Sequence, residues 1–280
     1  MVSRAADMRS LVRRAQAAGE RVGLVPTMGA LHEGHLTLVD AARKQCDRVV
    51  ASIFVNPTQF RPGEDYEKYP RPLEQDLDLL AGRGCHWAFV PEAREMYPPG
   101  FSSFVDVGHV SEPWEGAARP GHFRGVATVV LKLLEIMPAD HAYFGRKDYQ
   151  QTLVVQRLAA DFHLPTAIEI CPTVREPDGL ALSSRNAYLS GRQRGQAAAL
   201  NRALAQAARL CDAGERSAAA IRSAMLAVIA QAGEGALDVE YIAVVREGTV
   251  DPVEQIDGPT TVAIAARVGQ TRLIDNARIR

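Results

Sequence analysis

The chain lacks most features that would place it in a specialised class. Aromatic residues make up only 6% of its 280 positions, so a base-stacking surface for single-stranded nucleic acid is not expected. Neither sign of charge prevails: 32 Lys and Arg stand against 33 Asp and Glu, a formal net charge of −1, without the basic excess of a nucleic-acid binder. The most apolar run, 126–137, is broken by Lys132 and Glu135 and is too short to span a bilayer. The first residues include Arg4 and Asp7 and no long apolar stretch, so no signal peptide is expected and the cytoplasm is the expected location. Cysteine is scarce. Cys46, Cys85, Cys171 and Cys211 lie far apart, which excludes a C-x-x-C motif or zinc knuckle and leaves reduced, mostly buried thiols as the expectation. There is no internal repeat and no low-complexity linker. What is present is core-forming: 47% apolar against 23% charged residues, enough to order a chain whose length suits about two domains.

Periodicity predicts an alternation of helices and strands. Met8, Leu11, Val12 and Ala15 mark a helix over 4–18, ended by Gly19, and 21–25 reads as a strand stopped by Pro26. Leu36, Val39 and Ala42 mark a second helix. Residues 49–55 form a nearly continuous apolar run, as in a parallel strand buried on both faces. A helix at 73–80, a strand at 86–90, a helix at about 124–137, a strand at 142–145, a helix at 149–161 and a strand at 166–171 follow. The Pro- and Gly-rich stretch 92–121 reads as an excursion with one short strand, Ser103–Val107. This alternation favours a doubly wound, Rossmann-like parallel sheet. After about residue 175 the texture changes to two Ala-rich helical segments within 192–232 and three short strands at 239–245, 261–266 and 271–274. The expected domains are therefore 1–174, α/β, and 175–280, a smaller α+β unit.

Four segments carry candidate chemistry. Met28-Gly-Ala-Leu-His32-Glu-Gly-His35 lies between the first strand and a helix, at the sheet edge where open α/β sheets take ligands. A helix N-terminus there offers backbone N–H groups and a positive dipole end to phosphate. His32 and His35, three apart, share a face and can stabilise charge developing on a leaving group. Their spacing is not the His-Glu-x-x-His of a zinc protease, so no protein-bound metal is expected, and a simple capping role for both is the alternative. Gly145-Arg146-Lys147-Asp148 again joins a strand to a helix; Lys147 can neutralise phosphate, although a charged surface turn would look the same. Leu182-Ser183-Ser184-Arg185 suits a polyphosphate or an N-capping loop equally. Asn56 and Gln59 end the second strand with uncharged amides, better matched to a small hydroxy acid than to phosphate, and Gln150 and Gln151 open a later helix that could join them.

Taken in order, these blocks resemble the pantothenate synthetase (pantoate–β-alanine ligase) family of the nucleotidylyltransferase superfamily. The resemblance rests on Val25 to His35, Ser52 to Pro57 with Gln59-Phe60, Tyr69-Pro-Arg71, Arg119 to Val126, Lys147 to Gln151, and Pro172 to Arg175 with Asp178 to Asn186. Thr271 to Asn276 resembles the family's C-terminal strand. One H-x-G-H is common across the superfamily; six ordered blocks over residues 25–186 are specific. The resemblance implies an ATP-dependent condensation of pantoate with β-alanine through a pantoyl adenylate, with Mg²⁺ bound to ATP, in a homodimer built through Rossmann-like N-terminal domains under C-terminal lids. Neither nucleic acid nor membrane would be a partner.

Residue by residue, it implies that Met28, Gly29, Ala30, Leu31, His32, Glu33, Gly34 and His35 cradle ATP, with His35 and His32 at the departing pyrophosphate. Gly145, Arg146, Lys147 and Asp148 would hold the nucleotide, Lys147 on the phosphates and Asp148 on the ribose. Val174 would meet adenine, and Leu182, Ser183, Ser184 and Arg185 the triphosphate. Gln59, Gln151 and Asn56 would serve pantoate, with Gln59 also lining the β-alanine path. Residues 61–69, with Pro62-Gly63, are a candidate mobile wall. Three positions depart from the family pattern: Arg146 replaces Glu, Leu182 replaces Met and Trp114 replaces Leu. None removes a group that carries chemistry. A related adenylyltransferase is the alternative, but it needs an anion site where Asn56 and Gln59 stand. A nucleotide-binding regulator would lack His35, Lys147 or Arg185, and a tRNA synthetase would need a tRNA-binding domain.

Overall fold

The structure, a computed structural model, describes residues 1–233 and 235–280. The chain forms two compact units: Met1–Arg146 with Gln150–Pro172, and Lys147–Tyr149 with Thr173–Arg280.

The first unit is a five-stranded parallel sheet clad by helices. In chain order it contains α1 (Ala5–Ala17), β1 (Val22–Thr27), α2 (Glu33–Gln45), β2 (Arg48–Ile53), α3 (Leu73–Gly82), β3 (Trp87–Phe89), the short turns α4 (Ala93–Met96) and α5 (Glu115–Ala118), α6 (His122–Ile136), β4 (His141–Gly145), α7 (Tyr149–Asp161) and β5 (Ala167–Cys171). Strand order is β3-β2-β1-β4-β5, every pair parallel. The order reverses between β1 and β4, and such a switch point opens a crevice at the carboxyl ends of the strands. Pairing of β1 with β4 stops at Leu24, ahead of Pro26, whose missing N–H is thereby tolerated. Met8, Val12, Phe89, Val130 and Leu158 fill the core on one face, and Val39, Val49, Ala51 and Leu80 fill the other. Each fully buried side chain of this size contributes about 1.5–3 kcal/mol relative to exposure.

The second unit contains α8 (Gly191–Ala197), α9 (Ala199–Asp212) and α10 (Ala218–Ala230), then an antiparallel sheet, order β6-β7-β8, of β6 (Asp238–Arg246), β7 (Thr260–Val268) and β8 (Thr271–Ile279). Leu200, Leu204, Ile221, Met225, Val262 and Ile264 form its core. The expected fold class, a doubly wound parallel sheet with a smaller α+β unit, is the fold observed.

Local expectations fail in three places. Residues 103–107 form no strand: the Val105 N–H that a ladder would use donates instead to the Thr128 hydroxyl on α6, at 3.0 Å. The Ala-rich stretch yields three helices, because the chain turns at Ala198 between α8 and α9. The last three strands are each nine residues long, since β7 stays paired along its length on both sides.

Candidate active site

The histidine turn grows from the end of β1. Thr27 Oγ1 donates to Ser52 O at 2.6 Å and accepts from Gly29 N at 3.2 Å, so β2 fixes the start of the turn. Gly29 has φ +82°, and a Cβ there would lie 2.9 Å from Asp76 Oδ2 and 3.0 Å from Ile53, so only glycine fits. Ala30, at φ +50°, is held in the left-handed region by a carboxylate: Asp76 on α3 accepts from Ala30 N at 2.8 Å and Leu31 N at 2.7 Å. Asp76 is 1% exposed. Burial raises its pKa, and the two backbone donors act against that.

His32 and His35 cap α2 reciprocally. His32 Nδ1 accepts from Gly34 N at 3.2 Å, His35 Nδ1 accepts from His32 N at 3.4 Å, and the rings stack with centroids 4.1 Å apart. An Nδ1 that accepts carries no proton, so both neutral rings bear theirs on Nε2. In each ring Nδ1 builds the turn. The expectation of open backbone N–H groups is corrected. Those of Gly29, Ala30, Leu31, His32 and Gly34 are all bonded within the protein, so the donors available to an anion are chiefly side chains. The Glu33 carboxylate is likewise engaged, by Arg83 at 2.8 Å.

Asn56 and Gln59 form one constellation after β2. Asn56, 1% exposed, donates through Nδ2 to Gln59 Oε1 and to Gly125 O, each at 3.1 Å. Its Oδ1 accepts from Tyr97 Oη at 2.8 Å and Thr58 Oγ1 at 3.0 Å. Gln59 Nε2 in turn donates to Met28 Sδ at 3.1 Å, linking this turn to the histidine turn. The helix α6 presses on the same segment: a Cβ on Gly125 would lie 2.4 Å from Thr58 O. Gln59 O meets His122 Nδ1 at 2.9 Å and accepts from Arg119 Nη2 at 3.3 Å.

Arg119 also pairs with Glu64 at 2.7 Å, which pins the 61–69 segment in this conformation. Burial alone would raise the Glu64 pKa, but Arg119 and Arg61 beside it hold it down to about 2. Burial, with the Arg119 charge adjacent, pushes His122 down to about 4. Gln150 is not available as a substrate amide: it donates to Val110 O and Pro113 O and accepts from Glu115 N. Gln151 lies half-buried at the start of α7.

The second unit gathers Lys147, Asp148, Val174 and Leu182–Arg185. Leu182 N donates to Val174 O at 3.0 Å, so the two predicted nucleotide loops are directly paired. Ser183 Oγ accepts from Arg185 N at 3.3 Å and caps the short turn Ser184–Tyr188, while Ser190, not this loop, caps α8. Lys147 Nζ lies 3.6 Å from Asp148 Oδ1.

Sequence reasoning missed Asp76, Tyr97, Arg119 and His122. Asp76 left a trace: it sits on the apolar stripe Leu73-Asp76-Leu77-Leu80 of α3, where a charge needs buried partners. Arg119 and His122 lay inside a recognised block without a role. Tyr97 left none.

A parallel sheet with its order reversed beside a histidine-bearing strand-to-helix turn defines a doubly wound α/β protein. More narrowly, the chain belongs to the Pantoate-beta-alanine ligase family, whose profile matches residues 1–278. It is 52% identical over 271 residues to the pantothenate synthetase of Moorella thermoacetica, covering 97% of this chain and 95% of that one. Among solved structures it is similar to the pantothenate synthetase of Thermus thermophilus, with TM-score 0.93, 46% identity and 99% and 98% of the two chains covered. It is also similar to the pantoate-beta-alanine ligase of Francisella tularensis complexed with beta-gamma ATP and beta-alanine, with TM-score 0.81, 34% identity and 99% and 97% covered. Among the described residues no helix is long and apolar enough to cross a membrane.

Proposed function

We propose that this chain condenses pantoate with β-alanine at the expense of Mg–ATP, releasing AMP and pyrophosphate. The observation that carries the reading is the coupling of two turns: an Nε2-protonated histidine pair suited to phosphate oxygens, and Gln59 held by Asn56 and touching Met28. The ATP and β-alanine named with the Francisella relative fit the same assignment.

In the first step a pantoate carboxylate oxygen attacks the α-phosphorus. The bond from that phosphorus to the bridging oxygen breaks, and its electron pair leaves with pyrophosphate. His35 and His32 donate to the departing group. Lys147 and Arg185 offset its charge, and Mg²⁺ travels on the nucleotide's own oxygens. In the second step the β-alanine nitrogen attacks the acyl carbon, the C–O bond to AMP breaks and the nitrogen loses a proton.

Met28 through His35, Gly145 through Asp148, Val174 and Leu182 through Arg185 take the nucleotide. Gln59 and Gln151 take pantoate, and Asn56 acts by orienting Gln59. Pantoyl adenylate hydrolyses in water, so the reaction needs a site that excludes it. A homodimer joined through the N-terminal units is part of the same reading.

The test is product analysis. Pantoate with Mg–ATP should give about one pyrophosphate per enzyme, and β-alanine should convert this to steady release of AMP. Formation of ADP and phosphate would sink the adenylate and point to an acyl phosphate.

A further inference from the structure

The strand β8 carries two adjacent buried polar residues, Asp275 and Asn276, 3% and 4% exposed. Both reach out of the sheet. Asp275 forms a two-pronged ion pair with Arg175, at 2.6 and 3.0 Å, and Arg175 Nη1 also donates to Gly179 O at 3.1 Å. Asn276 Nδ2 donates to Lys147 O at 3.0 Å. The same short turn is gripped again two residues on: the Tyr149 hydroxyl donates to Thr249 O at 3.0 Å and accepts from Gly248 N at 2.9 Å, both in the β6–β7 connection. Lys147–Tyr149 therefore groups with the second unit, although residues on either side of it group with the first.

We propose that Asn276 and Tyr149 are positioning residues for Lys147, fixing the backbone from which its ammonium reaches the ATP phosphates. Asp275 does the same, through Arg175, for the loop that carries Val174. The argument is geometric. A lysine is a point charge on a flexible four-carbon stem, so its aim depends on how firmly its Cα is held. Here the turn is held by three side-chain hydrogen bonds, one at Lys147 and two at Tyr149, that bracket Asp148. Small misplacements of such groups are costly, because charge stabilisation requires preorganised distances. One strand thus sets both the phosphate-binding and the base-binding segment. The proposal rests on the reading of Lys147 as a phosphate ligand given above.

The test uses the full chain and pantoate-dependent exchange of pyrophosphate into ATP. Asn276→Asp is isosteric and removes the donor; it should raise KM for ATP about tenfold and leave KM for pantoate unchanged. Tyr149→Phe, which deletes only a hydroxyl, should raise KM for ATP severalfold and carries the same readout should Asn276→Asp fail to fold. In a Lys147→Ala background, Asn276→Asp should add less than about twofold, because its effect runs through the lysine. A folded Asn276→Asp or Tyr149→Phe protein with unaltered KM for ATP, or a full additive loss in the Lys147→Ala background, overturns the proposal. An unmodified chain without any pantoate-dependent exchange overturns the ligase reading instead.

Discussion

The turn at 28–35 and the turn at 147–149 both follow a strand of the parallel sheet and lead into a helix. They are secured by different means. The histidine turn is locked by near neighbours of its own unit: a positive-φ glycine, a buried aspartate on α3 and a reciprocal imidazole cap. The lysine turn is held from a distance in sequence, by β8 and by the β6–β7 connection. The first arrangement gives a rigid wall whose geometry is complete once β1, β2 and α3 have packed. The second makes the placement of a positive charge depend on whether a remote part of the chain is folded.

Several substitutions separate these two designs. The largest effect is expected at the two residues proposed to meet the phosphates. His35→Ala and Lys147→Ala should each slow pyrophosphate exchange by about 10²–10³-fold. They should differ in stability: loss of His35 also removes the acceptor of His32 N, so urea denaturation should register the first change and not the second.

Asp76→Ala leaves the N–H groups of Ala30 and Leu31 buried without an acceptor. It should cost about 2–4 kcal/mol in urea unfolding together with a raised KM for ATP. An unchanged midpoint would show that the histidine turn does not depend on its carboxylate.

Acid should act chiefly on the first unit. The folded pKa values of His122 and Glu64 both lie below their ordinary values, so the folded state binds fewer protons than the unfolded one in these ranges. For His122, stability is full above about pH 6.5 and falls towards pH 4, by about 2–3 kcal/mol. Glu64 adds a further loss between about pH 4.5 and 2. His122→Phe should flatten the first phase of a stability–pH curve, and a curve that keeps that phase would assign it elsewhere.

The smallest effect is expected for His32→Ala. It removes one cap bond, worth about 1 kcal/mol, and should lower the rate less than His35→Ala does. Equal rate losses would mean that the two rings act as one unit.

Much of this was legible from residues 1–280 alone. Apolar runs at β1 and β2 and alternation with helices implied a parallel sheet, because a strand buried on both faces has no polar face to show. The ordered blocks implied the family to which the chain belongs. What stayed hidden was partner choice. Residues 103–107 read as a strand because their composition suits one, but whether Val105 N meets a carbonyl or the Thr128 hydroxyl is decided by packing. Asn56 was legible as a polar group at a strand end, and its engagement with Gln59, Gly125, Tyr97 and Thr58 was not, since those partners lie up to 69 residues away. The histidine pair was readable as either cap or chemistry; the geometry shows the reciprocal cap. Asp275 and Asn276 were visible as part of a block but not as anchors, because nothing local distinguishes an outward-reaching asparagine on a strand.

The bond from Asn276 to Lys147 closes a span of 129 residues. On a ribosome working at about 5–20 residues per second, the lysine turn therefore waits roughly 6–26 s for its anchor to be synthesised. During that interval the parallel sheet can gather its strands and the histidine turn can set, while the cationic turn is still a plain loop. A nascent chain would pass through a stage with the histidine turn set and the lysine turn not yet anchored.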